Sequence, residues 1–142
     1  MKLADPWTAR LRTARAAALL CLARALIALV PFRLWRQHLG GLDRTDPGAD
    51  PVPDPAELHR LAAHVARAAQ RLPFTVKCLP QAMALSWQLR RRRLAHTVVF
   101  AARPPGARAG DDALHAWVES GARVILGDLP GPWIEIYRQP PT

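Results

Sequence analysis

Cys78, His115 and Asp128 stand in the order that a thiol nucleophile needs, with a cysteine where a helix begins and a histidine and an aspartate on later strands. A thiol attacks as the thiolate, so it needs a base within reach, and that base needs a group that fixes its tautomer. His115 would take the proton from Cys78 and later return it to the leaving amine. Asp128, at the end of the following strand, would orient His115, as the acid of a triad does. The backbone N–H of Cys78 at the helix start is the first candidate for stabilising an oxyanion. Thr75, Lys77 and Gln81 are all near enough in sequence to supply a second donor, and nothing in the sequence selects one of them.

Strand alternation places Leu114, Ala116 and Val118 on one side and His115, Trp117 and Glu119 on the other. Glu119 is therefore the rival orienting acid. Asp128 is preferred, because a neighbouring strand brings a carboxylate beside the imidazole more easily than the same strand does. Each residue also has a structural reading: a cysteine in an apolar stretch is commonly a small buried hydrophobe, a histidine beside a tryptophan is commonly packing, and Asp128 between Gly127 and Pro130 fits a turn. His38, His59, His64 and His96 have no comparable setting. No Cys/His pair has ligand spacing, so neither a metal nor a cofactor is expected.

These residues need elements to hold them. Asp5 and Pro6 start a helical segment rich in Ala, Leu and Arg that runs to about Leu39, with Pro31 breaking or kinking it. The Asp- and Pro-rich stretch from Asp43 to Pro55 has almost nothing to bury and reads as a linker or exposed loop. Asp54 then caps a helix with Pro55 at its first position and Glu57 three residues after the cap, close to a capping box. Its apolar stripe, Leu58, Leu61, Ala62, Val65 and Ala69, continues to Leu72, before Pro73. A second stripe, Leu79, Ala82, Met83, Ser86 and Leu89, puts Cys78 at a helix N-terminus with Pro80 in the first turn. The period then changes to two, predicting strands at Thr97 to Ala102, Leu114 to Glu119, Val124 to Leu126 and Trp133 to Tyr137. Arg103 to Asp112 is a loop. Helices followed by strands give an α+β fold, with the nucleophile at a helix N-terminus packed on an antiparallel sheet. Residues 1–55 form a helical N-terminal extension and linker, and residues 56–142 form the core, within one compact unit.

The 142 residues are half apolar, enough for one ordinary core. The net charge is +9, nearly all from arginine, and Arg90 to Arg93 is the best candidate for a basic patch. Such a balance permits nucleic acid, anionic lipid or an acidic peptide as a partner. The aromatics lie apart from the arginine run, which argues against nucleic acid. Cys21 and Cys78 differ too much in setting for a disulfide framework, so a reduced cytoplasmic chain is expected. The apolar stretch from Ala16 to Val30 is shorter than the ~20 residues a bilayer crossing needs and is interrupted by Arg24. Arg24 and the Pro31-Phe32-Arg33 sequence also argue against a signal peptide. A core or partner-docking helix is the better reading, with peripheral membrane contact the lesser alternative.

Several segments together carry a resemblance: Cys-Leu-Pro-Gln-Ala-Met-Ala-Leu from Cys78, the arginine-rich helix end, the strand from Thr97 to Ala102, His-Ala-Trp-Val-Glu at 115–119, and Gly127-Asp128. The chain resembles the leader peptidases of lasso peptide biosynthesis, transglutaminase-like cysteine proteases of the microcin J25 processing type. That resemblance implies a papain-like or transglutaminase-like core and a triad of Cys78, His115 and Asp128. It implies a ribosomally made precursor peptide as substrate and a small leader-recognition protein of winged-helix-like fold as partner, with an ATP-dependent lasso cyclase acting on the product. Two places depart from the family pattern. Arg93 stands at the helix exit where glycine is frequent, so a left-handed cap there would be strained, and the loop from Arg103 to Asp112 is longer than usual. A reading of another class keeps the fold but makes the chain a non-catalytic binding or scaffold subunit of a peptide-maturation complex, holding an acidic leader on its basic face.

Overall fold

Two Asp-Pro steps begin the long helices, and they work in the same way. In the computed structural model, which describes residues 5–35, 45, 47–49, 52–107 and 113–139, four helices precede four strands. They are α1 (Pro6–Leu29), α2 (Phe32–Trp35), α3 (Pro55–Arg71) and α4 (Cys78–Arg91), then β1 (Thr97–Ala102), β2 (Leu114–Ser120), β3 (Arg123–Leu126) and β4 (Ile134–Gln139). Asp5 Oδ1 accepts from the Trp7 amide at 3.2 Å and Asp54 Oδ1 from the Ala56 amide at 3.0 Å, while proline occupies a position whose N–H has no helical partner. The capping box expected at α3 is only half made. Glu57 pairs instead with Arg92 at 2.7 Å, joining the start of α3 to the end of α4.

Pro31 ends α1, as its missing N–H dictates. Val30 caps the helix in an extended conformation, the chain turns into α2, and Trp35 folds back so that its indole N–H donates to the Val30 carbonyl at 2.9 Å. Trp35, Ala23 and Met83 form a small apolar cluster there. The part of the expected helix beyond residue 35 lies outside the described residues, as do residues 43, 44, 46, 50 and 51 of the expected linker.

The strands form one antiparallel sheet in the order β3-β2-β1-β4, so β1 and β2 are internal. Strand positions follow the period-two reading closely, although β4 begins one residue later than expected and runs two residues further, to Gln139. Helix α4 lies against α1, α3, β1 and β2. The main core is built around it from Ala16 and Leu20 of α1, Leu58, Leu61 and Val65 of α3, Leu85 and Leu89 of α4, and Val98, Ala116 and Val118 of the sheet. Fully burying a leucine or valine stabilises the fold by roughly 1.5 to 3 kcal/mol, and Leu20, Leu85, Leu89, Val98 and Val118 are all fully buried. Helix α1 contributes to the same core as the sheet. Helix α4, whose first residue is Cys78, is thus packed on several sides.

Arg93 adopts φ 62°, the left-handed conformation that favours glycine. Its guanidinium donates from Nη2 to the carbonyl of Pro47 at 2.5 Å, tethering that turn to the end of α4. Of the four consecutive arginines, Arg92 and Arg93 are thus engaged in holding neighbouring segments. None of the helices among the described residues is long and apolar enough to cross a membrane.

Candidate active site

Helix α4 starts at Cys78 because Lys77 is extended and Pro80, in the first turn, tolerates helical geometry without needing a donor. The N-cap residue, Lys77, makes no side-chain capping hydrogen bond. The amides of the first turn therefore remain able to face a ligand, and the positive end of the helix dipole lies beside the thiol. Cys78 is partly exposed. His115 is buried near the start of β2, opposite Ala101 of β1.

Cys78 and His115 line two cavities together. One, of about 490 Å³, is bounded by Thr75, Lys77, Gln81, Gly127 and Asp128; the other, of about 440 Å³, is bounded by side chains of β1, β2 and β4. The expected nucleophile, base and acid thus line one cleft, as do all three expected second oxyanion donors. Gln81 is already partly engaged there: its side-chain amide donates to the Val76 carbonyl at 3.0 Å, which steadies the segment entering α4.

The tautomer of His115 is fixed by a backbone group. Its Nε2 lies 2.5 Å from the carbonyl oxygen of Gly127. A carbonyl only accepts, so Nε2 carries the hydrogen, and in the neutral ring Nδ1 is left as the acceptor, the atom able to take a proton. Asp128, the expected orienting acid, is the next residue along; its side chain is exposed and lines the larger cavity. Gly127 is glycine for a steric reason. It has φ 89°, and a Cβ there would stand 3.0 Å from the Ala116 carbonyl oxygen and 3.1 Å from the Trp117 Cβ. Only a residue without a side chain passes this close to β2 and presents its carbonyl to the imidazole.

Glu119, the rival acid, is engaged elsewhere. Its Oε1 accepts from the Trp117 indole at 2.7 Å and its Oε2 pairs with Arg138 at 3.0 Å. Arg138 also grips both carboxylate oxygens of Glu135, and that hydrogen bonding holds the Glu135 carboxyl below its ordinary range. The Trp117–Glu119 bond puts these two side chains on one face of β2, and the His115 and Trp117 ring centroids lie 5.9 Å apart.

Two contacts were not legible in the sequence. The Trp133 ring stacks on His115 with centroids 5.1 Å apart, and the guanidinium of Arg103 lies 4.3 Å from the centroid of the same indole. Trp133 stands one residue before β4, where period-two reasoning made it simply the first strand residue. Its position after Gly131-Pro132 was the one available signal that it belongs to a turn.

The other buried histidines have structural roles. His96 accepts from the Ser86 hydroxyl through Nε2 and donates through Nδ1 to the Leu94 carbonyl, both at 2.8 Å, and burial lowers its pKa to about 4. His64 bonds to Thr13 of α1 through Nδ1; burial, then Arg67, Arg12 and Arg60, lower its pKa. Cys21 is exposed on α1. Among the described residues no group of three His, Cys, Asp or Glu side chains could hold a metal ion.

Residues 26–135 match the family model described as the transglutaminase-like superfamily. The matched segment contains Cys78, His115 and Asp128. No curated protein and no solved structure matches the chain.

Proposed function

Since this chain belongs to the transglutaminase-like superfamily, we propose that it is a cysteine peptidase that removes the leader from a ribosomally synthesised lasso peptide precursor. The observation that carries the catalytic part is that a thiol at a helix N-terminus and an imidazole whose Nε2 is committed to the Gly127 carbonyl line one cleft. The substrate class rests on the resemblance at 78–85, 115–119 and 127–128.

In the proposed reaction, Nδ1 of His115 takes the proton of the Cys78 thiol and the thiolate attacks the scissile carbonyl carbon. A C–S bond forms as the carbonyl π pair moves onto oxygen, where the Cys78 amide donates a hydrogen bond. Collapse of this intermediate breaks the C–N bond, and His115 delivers its proton to the departing amine. Water, deprotonated by His115, then attacks the thioester and releases the leader as a carboxylic acid with the thiol restored. The carboxylate of Asp128 faces the cleft in which the imidazolium forms and would offset its charge.

A leader-recognition protein of winged-helix-like fold is the proposed partner, with a lasso cyclase acting on the released core peptide in the cytoplasm. Helix α1 supports the idea of a docked partner, because Leu11, Leu22 and Leu29 are exposed along it. The test uses the full chain, the precursor and the leader-recognition protein. Cys78→Ala should retain the fold and release no leader; unchanged release by that variant would sink the proposal. Product formation that survives substitution of Cys78, His115 and Asp128 together would instead favour the scaffold reading.

A further inference from the structure

The two cavities that meet at Cys78 and His115 differ in chemistry. The larger has Lys77, Asp128, Thr75 and Gln81 in its lining beside the apolar Leu114, Ala116, Leu126 and Leu129. The smaller, of about 440 Å³, is walled by Leu79, Phe100, Ala101, Leu114, Ile136 and Tyr137, and among the described residues no Asp, Glu, Lys or Arg lines it. Its two most exposed walls are large apolar side chains: Leu114 is 67% exposed and Ile136 62% exposed. The Phe100 and Tyr137 rings stand 5.8 Å apart, and the Tyr137 hydroxyl donates to the Gln139 side chain, so its polar end already has a partner.

From this we infer that the smaller cavity is a specificity pocket that takes a large apolar side chain of the peptide within one or two residues of the scissile bond. This inference rests on the peptidase reading and adds the chemistry of the substrate to it. Burying a charged side chain among these walls would strip its hydration with no ion to replace it. An apolar side chain there covers Leu114 and Ile136 as it is itself withdrawn from water, and each Å² of apolar surface so removed contributes roughly 25 cal/mol. The volume lies within the range of roughly 300 to 1,000 Å³ usual for small-ligand sites, and the position, with the thiol and imidazole in one wall, ties occupancy to the reacting bond. The pocket and the larger cavity thus give the two sides of the bond different requirements. Leu79 follows the nucleophile on α4, so a side chain seated against it also fixes the carbonyl over Cys78.

The experiment uses thiol alkylation of the full-length protein, because that needs neither the natural peptide nor a partner, and Cys21 provides an internal control. Rates of modification by iodoacetamide, N-benzyl iodoacetamide and a cationic N-aminoalkyl iodoacetamide are read separately at Cys78 and Cys21 by peptide mass spectrometry. The benzyl reagent should exceed iodoacetamide at Cys78 by about tenfold or more, the scale on which apolar pockets discriminate, with no such gain at Cys21. Ile136→Glu should remove that gain and favour the cationic reagent; Ile136→Gln should remove it without favouring either. A benzyl-to-parent ratio at Cys78 equal to that at Cys21, or one untouched by both Ile136 variants, overturns the pocket while leaving the peptidase reading standing. Failure of the peptidase reading looks different: Cys78 would react with iodoacetamide no faster than Cys21 and be indifferent to His115→Ala. That result would overturn the inference with it.

Discussion

The indole of Trp133 lies stacked on the imidazole of His115, with ring centroids 5.1 Å apart and planes inclined by 28°. The indole N–H donates to the Leu129 carbonyl at 3.2 Å, so the ring is tied to the turn that follows Asp128. Trp133 therefore limits how far the imidazole can rotate, and the Gly127 bond restrains it from another side. Arg103 lies over the same ring and steadies it.

Trp133→Ala should lower kcat for leader removal by on the order of 10-fold to 100-fold, the cost of a base displaced by about an ångström, with KM little changed. Trp133→Phe, which keeps a stacking ring, should recover most of the rate. Steady-state kinetics of the three proteins decide this. Equal kcat in all three, or a loss confined to KM, would remove Trp133 as a positioning residue.

The Gly127 carbonyl and the Asp128 carboxylate can be separated experimentally. Where a carboxylate alone sets the tautomer of the base, replacing it with the amide costs about 10⁴-fold. Here the carbonyl already holds the hydrogen on Nε2, so Asp128→Asn should remove only the charge that offsets the imidazolium, a loss of roughly 10-fold to 100-fold in kcat. Gly127→Ala should be the more damaging of the two, because its Cβ would meet the Ala116 carbonyl and shift the acceptor. A larger loss from Asp128→Asn than from Gly127→Ala would transfer the orienting role to the carboxylate.

The contrast between these neighbours explains what the sequence could and could not convey. Cys78 was legible as a helix N-terminus because an apolar stripe starts beside it and Pro80 fits a first turn, and His115 because a strand of period two surrounds it. The Asp-Pro caps of α1 and α3 were legible as local hydrogen-bond chemistry. A backbone carbonyl has no residue type to advertise it, so the partner of His115 appeared only when β2 and the segment after β3 were placed side by side. Glu57 had two partners open to it, its own helix start and a distant guanidinium, and the packing of α3 on α4 favoured Arg92. The stack on Trp133 depends on a turn joining β3 to β4, which no periodicity encodes.

At Arg93 a strained backbone and a tether oppose each other. A non-glycine residue in the left-handed region costs on the order of 1 kcal/mol or more, and the bond to the Pro47 carbonyl offsets part of that. Arg93→Ala keeps the strain and loses the tether, so it should destabilise the protein; Arg93→Gly loses the tether but relieves the strain. The glycine variant should therefore be more stable than the alanine variant by about 1 kcal/mol in urea unfolding at neutral pH. Equal stabilities would mean that the helix exit carries no strain.

His96 should make the fold acid-sensitive well before the carboxylates titrate. Its pKa falls from 6.5 to about 4 on folding, chiefly because burial disfavours the imidazolium; the bond to the Leu94 carbonyl acts the other way, and the Arg90 charge adds to the lowering. Above pH 6.5 the ring is neutral in both states and contributes no pH dependence. Between pH 6.5 and 4 the unfolded chain binds a proton that the native chain refuses, so stability falls as pH falls, and below pH 4 this contribution levels off. The full difference corresponds to about 3 kcal/mol, with about 2 kcal/mol of it lost by pH 5. His64, lowered in the same direction, adds to the slope without changing its sign. Urea unfolding at pH 7, 6 and 5 should show this decline in the parent protein. His96→Asn replaces the donor to Leu94 with an amide that does not titrate, and its stability should vary less over the same interval even though its absolute stability is lower. An identical slope in the two proteins would mean that His96 does not carry the acid sensitivity.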